Sequence, residues 1–208
     1  MNVQWYPGHM TKAKRQMQED LKLIDLIIEL VDARVPLSSR NPDIDQLGQN
    51  KSRLILLNKA DLADERQNEA WKEYFQKRGF HVVKVDSRNG SGMKTIQNVI
   101  QEACKEKIER DRRRGIKNRP IRAMVAGIPN VGKSTFIKIL TGANEPTSGT
   151  IEFNGKEYAK LTPKQSMELG ISVIYQEFSL IPYLSVAENI FYGREIKKGI
   201  IRDIAAME

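Results

Sequence analysis

Apolar and polar positions follow two different periods along the chain, and these periods predict strands and helices in turn. Short, mainly apolar runs are typical of strands buried on both faces of a sheet, and they occur at residues 26–31, 53–57, 81–85 and 123–126. Apolar residues at helical spacing separate these runs and predict helices at residues 11–24, 42–49, 64–79, 92–113 and from 135 onward. Strands that alternate with helices predict an α/β fold, in which a mostly parallel sheet carries helices on both faces.

The pattern changes after the helix that begins at residue 135. The remaining apolar positions predict a twisted hairpin, a short helix, a strand and a further helix, at residues 149–159, 162–169, 171–176 and 185–192. We expect the strand at 171–176 to add beside the strand at 123–126. The sequence therefore predicts two parts, residues 1–140 and 141–208, with the second part completing the same sheet.

A phosphate-binding motif joins the strand at 123–126 to the following helix. Residues 127–134 read Gly-Ile-Pro-Asn-Val-Gly-Lys-Ser, the pattern G-x-x-x-x-G-K-S. Its glycines let backbone N–H groups surround phosphate oxygens, while Lys133 reaches the β- and γ-phosphates and Ser134 holds Mg²⁺. The predicted nucleotide contacts here are Asn130, Val131, Gly132, Lys133, Ser134 and Thr135. The alternative is a glycine-containing turn with an accidental Lys-Ser pair.

A second motif, at the end of the strand at 53–57, predicts a preference for guanine, and hence GTP or GDP as the ligand. Asn58-Lys59-Ala60-Asp61 reads N-K-x-D, in which the carboxylate accepts hydrogen bonds from the guanine N1–H and 2-amino groups. Adenine lacks both donors and would leave this carboxylate unpaired. Asn58 is expected at the other edge of the base, with the Lys59 stem over the ring. The alternative is a strand-terminal turn with an aspartate capping a helix.

The next strand end carries a weaker signal of the same kind. Asp86 and Ser87 follow the strand at 81–85, and backbone N–H groups there are expected to contact the guanine oxygen. Because the ligand crevice of a parallel sheet lies beyond the carboxyl ends of its strands, all three motifs are predicted to meet at one edge.

Composition adds a basic segment and limits the setting of the protein. The net charge is +8, and residues 105–122 (hereafter the basic segment) hold nine basic and three acidic side chains. Such a cluster suits a nucleic-acid backbone, although the solvated end of a helix is an equal alternative. No apolar run is long enough to cross a bilayer, the N-terminus lacks a signal-peptide pattern and Cys104 is the single cysteine. We therefore expect a cytoplasmic protein without membrane insertion.

Residues 1–135 resemble the circularly permuted ribosome-assembly GTPases of the YlqF/RbgA type, in which the base-reading motif precedes the phosphate loop. The matching stretches are Trp5–Met10, Glu29–Arg34, Ser38–Pro42, Leu56–Asp61 and Gly127–Ser134. This resemblance implies a GTPase that acts on the large ribosomal subunit. It also implies that Asn130 binds K⁺ and that His9 positions the attacking water. The residues alone favour an ordinary surface or capping histidine at position 9.

Residues 133–208 resemble a different family, the ATPases of sugar-importing ABC transporters. The matching stretches are Phe136–Gly142, Glu145–Lys156, Gly170–Glu177 and Leu184–Ile190. This resemblance implies a Mg²⁺ contact for Gln176. The switch II Asp-x-x-Gly of the GTPase family is absent beyond the phosphate loop, and Asp45-Gln46-Leu47-Gly48 lies far upstream in a predicted helix, where we interpret it as accidental. The chain thus reads as a fusion of two P-loop proteins at their shared motif.

Three functions remain open at this point. The first is a GTP-binding protein with impaired hydrolysis, since the switch elements that order around the γ-phosphate are missing. The second is an ATP-binding fragment of the ABC-transporter type. The third is a non-enzymatic module that binds RNA or the ribosome through the basic segment. Enzymatic activity itself is left open, and if present it would be GTP hydrolysis.

Overall fold

The structure is a computed structural model that describes residues 18–19, 21–116, 119–147, 150–153, 156–173, 184–191, 196–198, 201–202 and 206. Its strands are β1 (Leu26–Asp32), β2 (Ser52–Asn58), β3 (His81–Lys84), β4 (Ala123–Ala126), β5 (Ile151–Phe153), β6 (Lys156–Tyr158), β7 (Lys197–Lys198) and β8 (Ile201–Arg202). Its α-helices are α1 (Pro42–Leu47), α2 (Glu65–Gln76), α3 (Met93–Ala103), α4 (Lys105–Arg113), α5 (Lys133–Leu140), α6 (Pro163–Glu168) and α7 (Val186–Phe191). A short 3₁₀ helix follows β2 at Ala60–Leu62.

The four predicted strands form one parallel sheet in the order β3-β2-β1-β4. Every residue of β1 is buried, as expected for a central parallel strand covered on both faces. Register pairs Asp32 at the end of β1 with Asn58 at the end of β2. The predicted α/β class is confirmed, and the carboxyl ends of the central strands meet at one edge.

Apolar side chains of alternating positions pack on opposite faces of the sheet, which is why helices cover both. On one face, Leu26, Ile28 and Leu30 of β1 share a cluster with residues of α3 and α5. On the other face, Val31 packs with residues of β2 and with Phe75 of α2. The largest cluster therefore lies beneath the helix that follows the phosphate loop.

The helix predicted at 92–113 is two helices, α3 and α4, because the chain breaks at Cys104. The Ser52 hydroxyl donates to the carbonyl of Ala103 at 2.6 Å, and Cys104 leaves the helical region with φ −104° and ψ 9°. Cys104 is itself buried in the core. Prediction of one continuous helix was wrong, since the side chain that ends α3 comes from the start of β2.

Part of the segment beyond α5 packs into this same core. Strands β5 and β6 form the predicted antiparallel hairpin, and α6 is the predicted short helix. Ile151 and Leu161 are each 2% exposed and join the cluster beneath α3 and α5. Residues up to 172 therefore form one compact unit with the sheet.

Residues 173–208 form a second compact unit, which contains α7 and the antiparallel pair β7–β8. Of the strand predicted at 171–176, the described residues 171–173 are not in a strand, and the rest lie outside the described residues. Of the helix predicted at 11–24, the described residues are 18, 19 and 21–24. Residues 18, 19 and 21 are helical, but residues 22–24 are not, so the predicted end at 24 was too late. Among the described helices none is both long and apolar enough to cross a bilayer.

Candidate nucleotide-binding site

The phosphate loop connects β4 to α5 through residues with left-handed backbone conformations. Asn130 and Gly132 have positive φ angles of 67° and 98°, and Gly132 is the residue before α5 begins. A Cβ on Gly132 would lie 2.2 Å from the Asn58 amide nitrogen, and one on Gly127 would lie 2.7 Å from the Leu30 carbonyl. Both glycines are needed because neighbouring strands approach so closely.

Lys133 begins α5 and folds back over the loop. Its ammonium donates to the carbonyl of Gly127. Burial lowers the pKa of Lys133 below its ordinary value because the half-buried ammonium is partly desolvated. Ser134 is exposed on the first turn of α5, and Thr135 is half-buried. The Lys133 ammonium therefore lies over the phosphate loop, and the Ser134 hydroxyl is accessible to a ligand.

Asn58 bridges three loops at the carboxyl edge of the sheet. Its amide Nδ2 donates to the Val131 carbonyl of the phosphate loop at 2.7 Å. Its Oδ1 accepts from the Ser87 backbone N–H at 3.0 Å and from the Ser87 hydroxyl at 2.9 Å. Asn58 is 2% exposed. The amide is thus engaged by protein partners, and the geometry assigns it a bracing role that differs from the expected contact with the base.

Lys59 makes a second connection to the phosphate loop. It lies in the left-handed region with φ 60°, and its ammonium donates to the Asn130 carbonyl and to Asp32 Oδ2, both at 2.9 Å. Val131 and Asn130 are adjacent, so two consecutive carbonyls of the loop are held from the end of β2. This arrangement leaves the aliphatic stem of Lys59 as the part that a base can cover.

Asp32 lies at the candidate site but was not among the site residues predicted from the sequence. Arg34 grips its carboxylate with two hydrogen bonds of 2.9 and 2.7 Å, and Lys59 bonds the same group. The Arg34 guanidinium, together with the Lys59 ammonium, holds the pKa of Asp32 well below its ordinary value. Its position in the sequence could have indicated this role, because Asp32 ends the strand that lies next to the phosphate-loop strand.

Asp61 stands in the 3₁₀ helix after β2 with its side chain exposed. The turn is anchored on both sides: Ala60 N donates to the Val85 carbonyl at 3.2 Å, and the Asn68 amide donates to the Ala60 carbonyl at 3.0 Å. A carboxylate on an anchored turn at this edge can accept two parallel hydrogen bonds from a ligand. Its assignment to guanine remains a prediction.

The backbone N–H groups of the loop after β3 were expected to contact the guanine oxygen, but the first of them bond within the protein. The Ser87 N–H is engaged by Asn58, and the Arg88 N–H donates to the Asp86 side chain at 2.8 Å. Asp86 is buried, and its backbone pairs with Ser91 across the loop. The first N–H groups of this loop are therefore satisfied within the protein, and Asp86 and Ser87 shape the loop.

The predicted metal and catalytic residues are only partly within the described structure. His9 and Gln176 lie outside the described residues. The described ranges contain no group of three or more His, Cys, Asp or Glu side chains arranged for a metal ion. Asp45 of the upstream Asp-x-x-Gly lies in α1 and pairs with Arg53 at the start of β2, at the opposite end of the strands from Asn58.

Known proteins are similar to this chain in two parts of its sequence. Over 149 residues the chain is 50% identical to ribosome biogenesis GTPase A of Bacillus licheniformis, an alignment that covers 72% of this chain and 53% of the relative. Both predicted resemblances are confirmed. For the second, the family model described as "ABC transporter" matches residues 118–208. The two resemblances are therefore joined around the phosphate loop.

A more distant relative and a solved structure are also similar to part of this chain. Mitochondrial ribosome-associated GTPase 1 of Xenopus tropicalis is 40% identical over 140 residues, covering 65% of this chain and 43% of the relative. Among solved structures, GNP-bound YlqF from T. maritima is 29% identical with a TM-score of 0.47, covering 69% of this chain and 54% of that chain. This chain spans about half the length of the curated relatives it matches first.

Proposed function

We propose that this chain binds GTP and GDP at the carboxyl edge of the sheet, between the phosphate loop, the turn at residues 58–61 and the loop at 86–91. The observation that carries the proposal is the Asn58 bridge, since one buried side chain joins all three loops. The similarity to ribosome biogenesis GTPase A supports the same ligand.

Each phosphate and base contact has a residue suited to it. Loop N–H groups and Lys133 take the phosphates, and the ammonium exchanges its bond to Gly127 for phosphate oxygens. The exposed Ser134 hydroxyl would hold Mg²⁺, which usually binds through one or two protein oxygens plus substrate phosphates. Asn130 would take part in binding K⁺. Asp61 accepts from the guanine N1–H and 2-amino groups, which adenine lacks.

We expect hydrolysis to be weak. The GTPase-type Asp-x-x-Gly is missing beyond the phosphate loop, so the group that would order around the γ-phosphate is replaced by transporter-like sequence. His9 is proposed as the group that positions water, and Gln176 as an alternative Mg²⁺ contact. By similarity to relatives named for ribosome biogenesis, the proposed partner is the large ribosomal subunit, in the cytoplasm.

Competition between nucleotides tests the base assignment. We expect GDP and GTP, but not ATP, to displace a fluorescent guanine nucleotide, and Asp61→Asn to weaken GDP by at least about tenfold through loss of charge-assisted hydrogen bonds. The matched control is Asp64→Asn, which removes the same charge three residues away but leaves a good helix cap. An unchanged preference in Asp61→Asn would overturn the guanine assignment, and ATP selectivity would favour the transporter-type alternative.

A second candidate function is RNA binding by the basic segment. Of its basic residues, Lys107 and Arg119 pair with Asp25 and Asp111. Four arginines at the end of α4, residues 110, 112, 113 and 114, are exposed. The cations at the end of α4 also stabilise the helix dipole, so exposure alone does not assign an RNA ligand.

Salt dependence separates the two roles of the basic segment. If the arginines contact phosphates, affinity for a ribosomal RNA fragment falls steeply with salt, and replacing three of them with Gln reduces the slope by about three. A flat salt dependence would restrict the basic segment to a structural role.

A further inference from the structure

The transporter-like segment touches the loop after β3. The backbone N–H of Thr147 donates to the Arg88 carbonyl at 2.8 Å. Thr147 belongs to the stretch matched by the ABC transporter family, whereas Arg88 lies well before that match begins at residue 118. A backbone hydrogen bond thus connects sequence of one resemblance to the loop that serves the other.

The hairpin that follows Thr147 is anchored on the helix that follows this loop. Ile151 of β5 is buried in the same cluster as Met93 and Ile96 of α3. The Glu157 carboxylate of β6 accepts from the Lys94 ammonium in the first turn of α3. The hairpin therefore holds the start of α3, where the loop ends.

The loop itself has little freedom at that end. A Cβ on Gly92 would lie 1.9 Å from the Lys84 carbonyl, so the loop closes tightly between β3 and α3. At the other end, Ser87 is bonded to Asn58, which is bonded in turn to Val131 of the phosphate loop. A shift of the Arg88 backbone would therefore act next to Ser87, which bonds the Asn58 side chain that joins the three loops.

We propose that Thr147 and the hairpin strands β5 and β6 act as a support for the loop at 86–91, and that the Thr147 N–H is the positioning group through which they set guanine-nucleotide affinity. This inference rests on the proposed function, because the loop matters only if the base binds beside it. In this arrangement the transporter-like sequence occupies the place along the chain where the GTPase family has its switch elements. Its effect is on base binding, through the loop at 86–91.

Removing the donor tests the inference. Thr147→Pro deletes the N–H, and the matched control Thr147→Ala keeps it. We expect Thr147→Pro to weaken GDP by about fivefold in calorimetric titrations while pyrophosphate affinity, which reports the phosphate loop alone, is unchanged. Amide exchange at Ser87 and Arg88 should accelerate in the nucleotide-free variant. Thr147→Ala should match the wild type.

The other possible results distinguish failure of the support role from failure of the proposed function. Equal GDP affinity in Thr147→Pro and Thr147→Ala overturns the support role and leaves the proposed function standing. A parallel loss of GDP and pyrophosphate also overturns it, because the effect is then general. A wild type that binds pyrophosphate but no GDP overturns both proposals.

A second pair of variants avoids the loop altogether. Glu157→Lys places two ammonium groups together between the hairpin and α3, and should weaken GDP by about twofold, because an exposed pair contributes little. The exchange Lys94→Glu with Glu157→Lys restores opposite charges and should restore GDP affinity. Failure of the exchange to restore affinity would count against the support role of the hairpin.

Discussion

Truncating Asn58 is the change most directly tied to the architecture of the candidate site. The Asn58→Ala variant removes three hydrogen bonds, two to Ser87 and one to the Val131 carbonyl. Asn58, Ser87 and Val131 are each about 2% exposed, so water has little access to the groups left behind. The Val131 carbonyl and the Ser87 N–H would then be buried without partners.

The expected cost follows from these two groups. Each buried polar group left unsatisfied costs about 1–3 kcal/mol, and the Ser87 hydroxyl can turn elsewhere. We therefore expect Asn58→Ala to lower the free energy of unfolding by about 3 kcal/mol. This is a large part of the 5–15 kcal/mol that is usual for a folded protein.

Urea unfolding of the nucleotide-free protein measures this loss. Circular dichroism and the fluorescence of Trp71, which packs beside the sheet, would follow the transition. Asn50→Ala is the control, because Asn50 is exposed and the same truncation there should change stability by less than about 0.5 kcal/mol. An Asn58→Ala stability within that range of the wild type would refute the bracing role.

Three further predictions use other contacts of the same unit. Gly132→Ala should abolish pyrophosphate binding in calorimetry, because its Cβ would collide with the Asn58 amide, whereas Gly79→Ala, which also has positive φ but open space, should bind normally. Asp32→Asn should be less stable than the wild type in thermal melts at pH 6. Because the folded-state pKa of Asp32 is depressed, that difference should shrink only as the pH falls below the ordinary value of 3.8. Glu29→Gln should lower the free energy of unfolding by about 1–3 kcal/mol in urea, because Arg40 and Arg53 lose their buried carboxylate partner while each keeps its ion pair with the exposed Asp45.

Much of the fold follows from local pattern. The buried strands, the hairpin after α5 and the short helix α6 were predictable because period and capping residues are local properties. The break at Cys104 was not, since it depends on a hydroxyl 51 residues away in sequence. The nearby sequence supports a continuous helix, and only the approach of β2 supplies the competing donor.

The sequence by itself determined that three motifs would meet, because parallel strands end at the same edge of a sheet. It also determined the phosphate loop and the junction between two resemblances. The tertiary structure decided what each polar group does there: Asn58 braces, Asp32 holds Lys59, and Thr147 reaches the loop after β3. The reason is physical. A polar side chain bonds to whichever partner the folded chain brings within about 3 Å. For Asn58 and Lys59, the partners in the phosphate loop are more than 70 residues away in sequence.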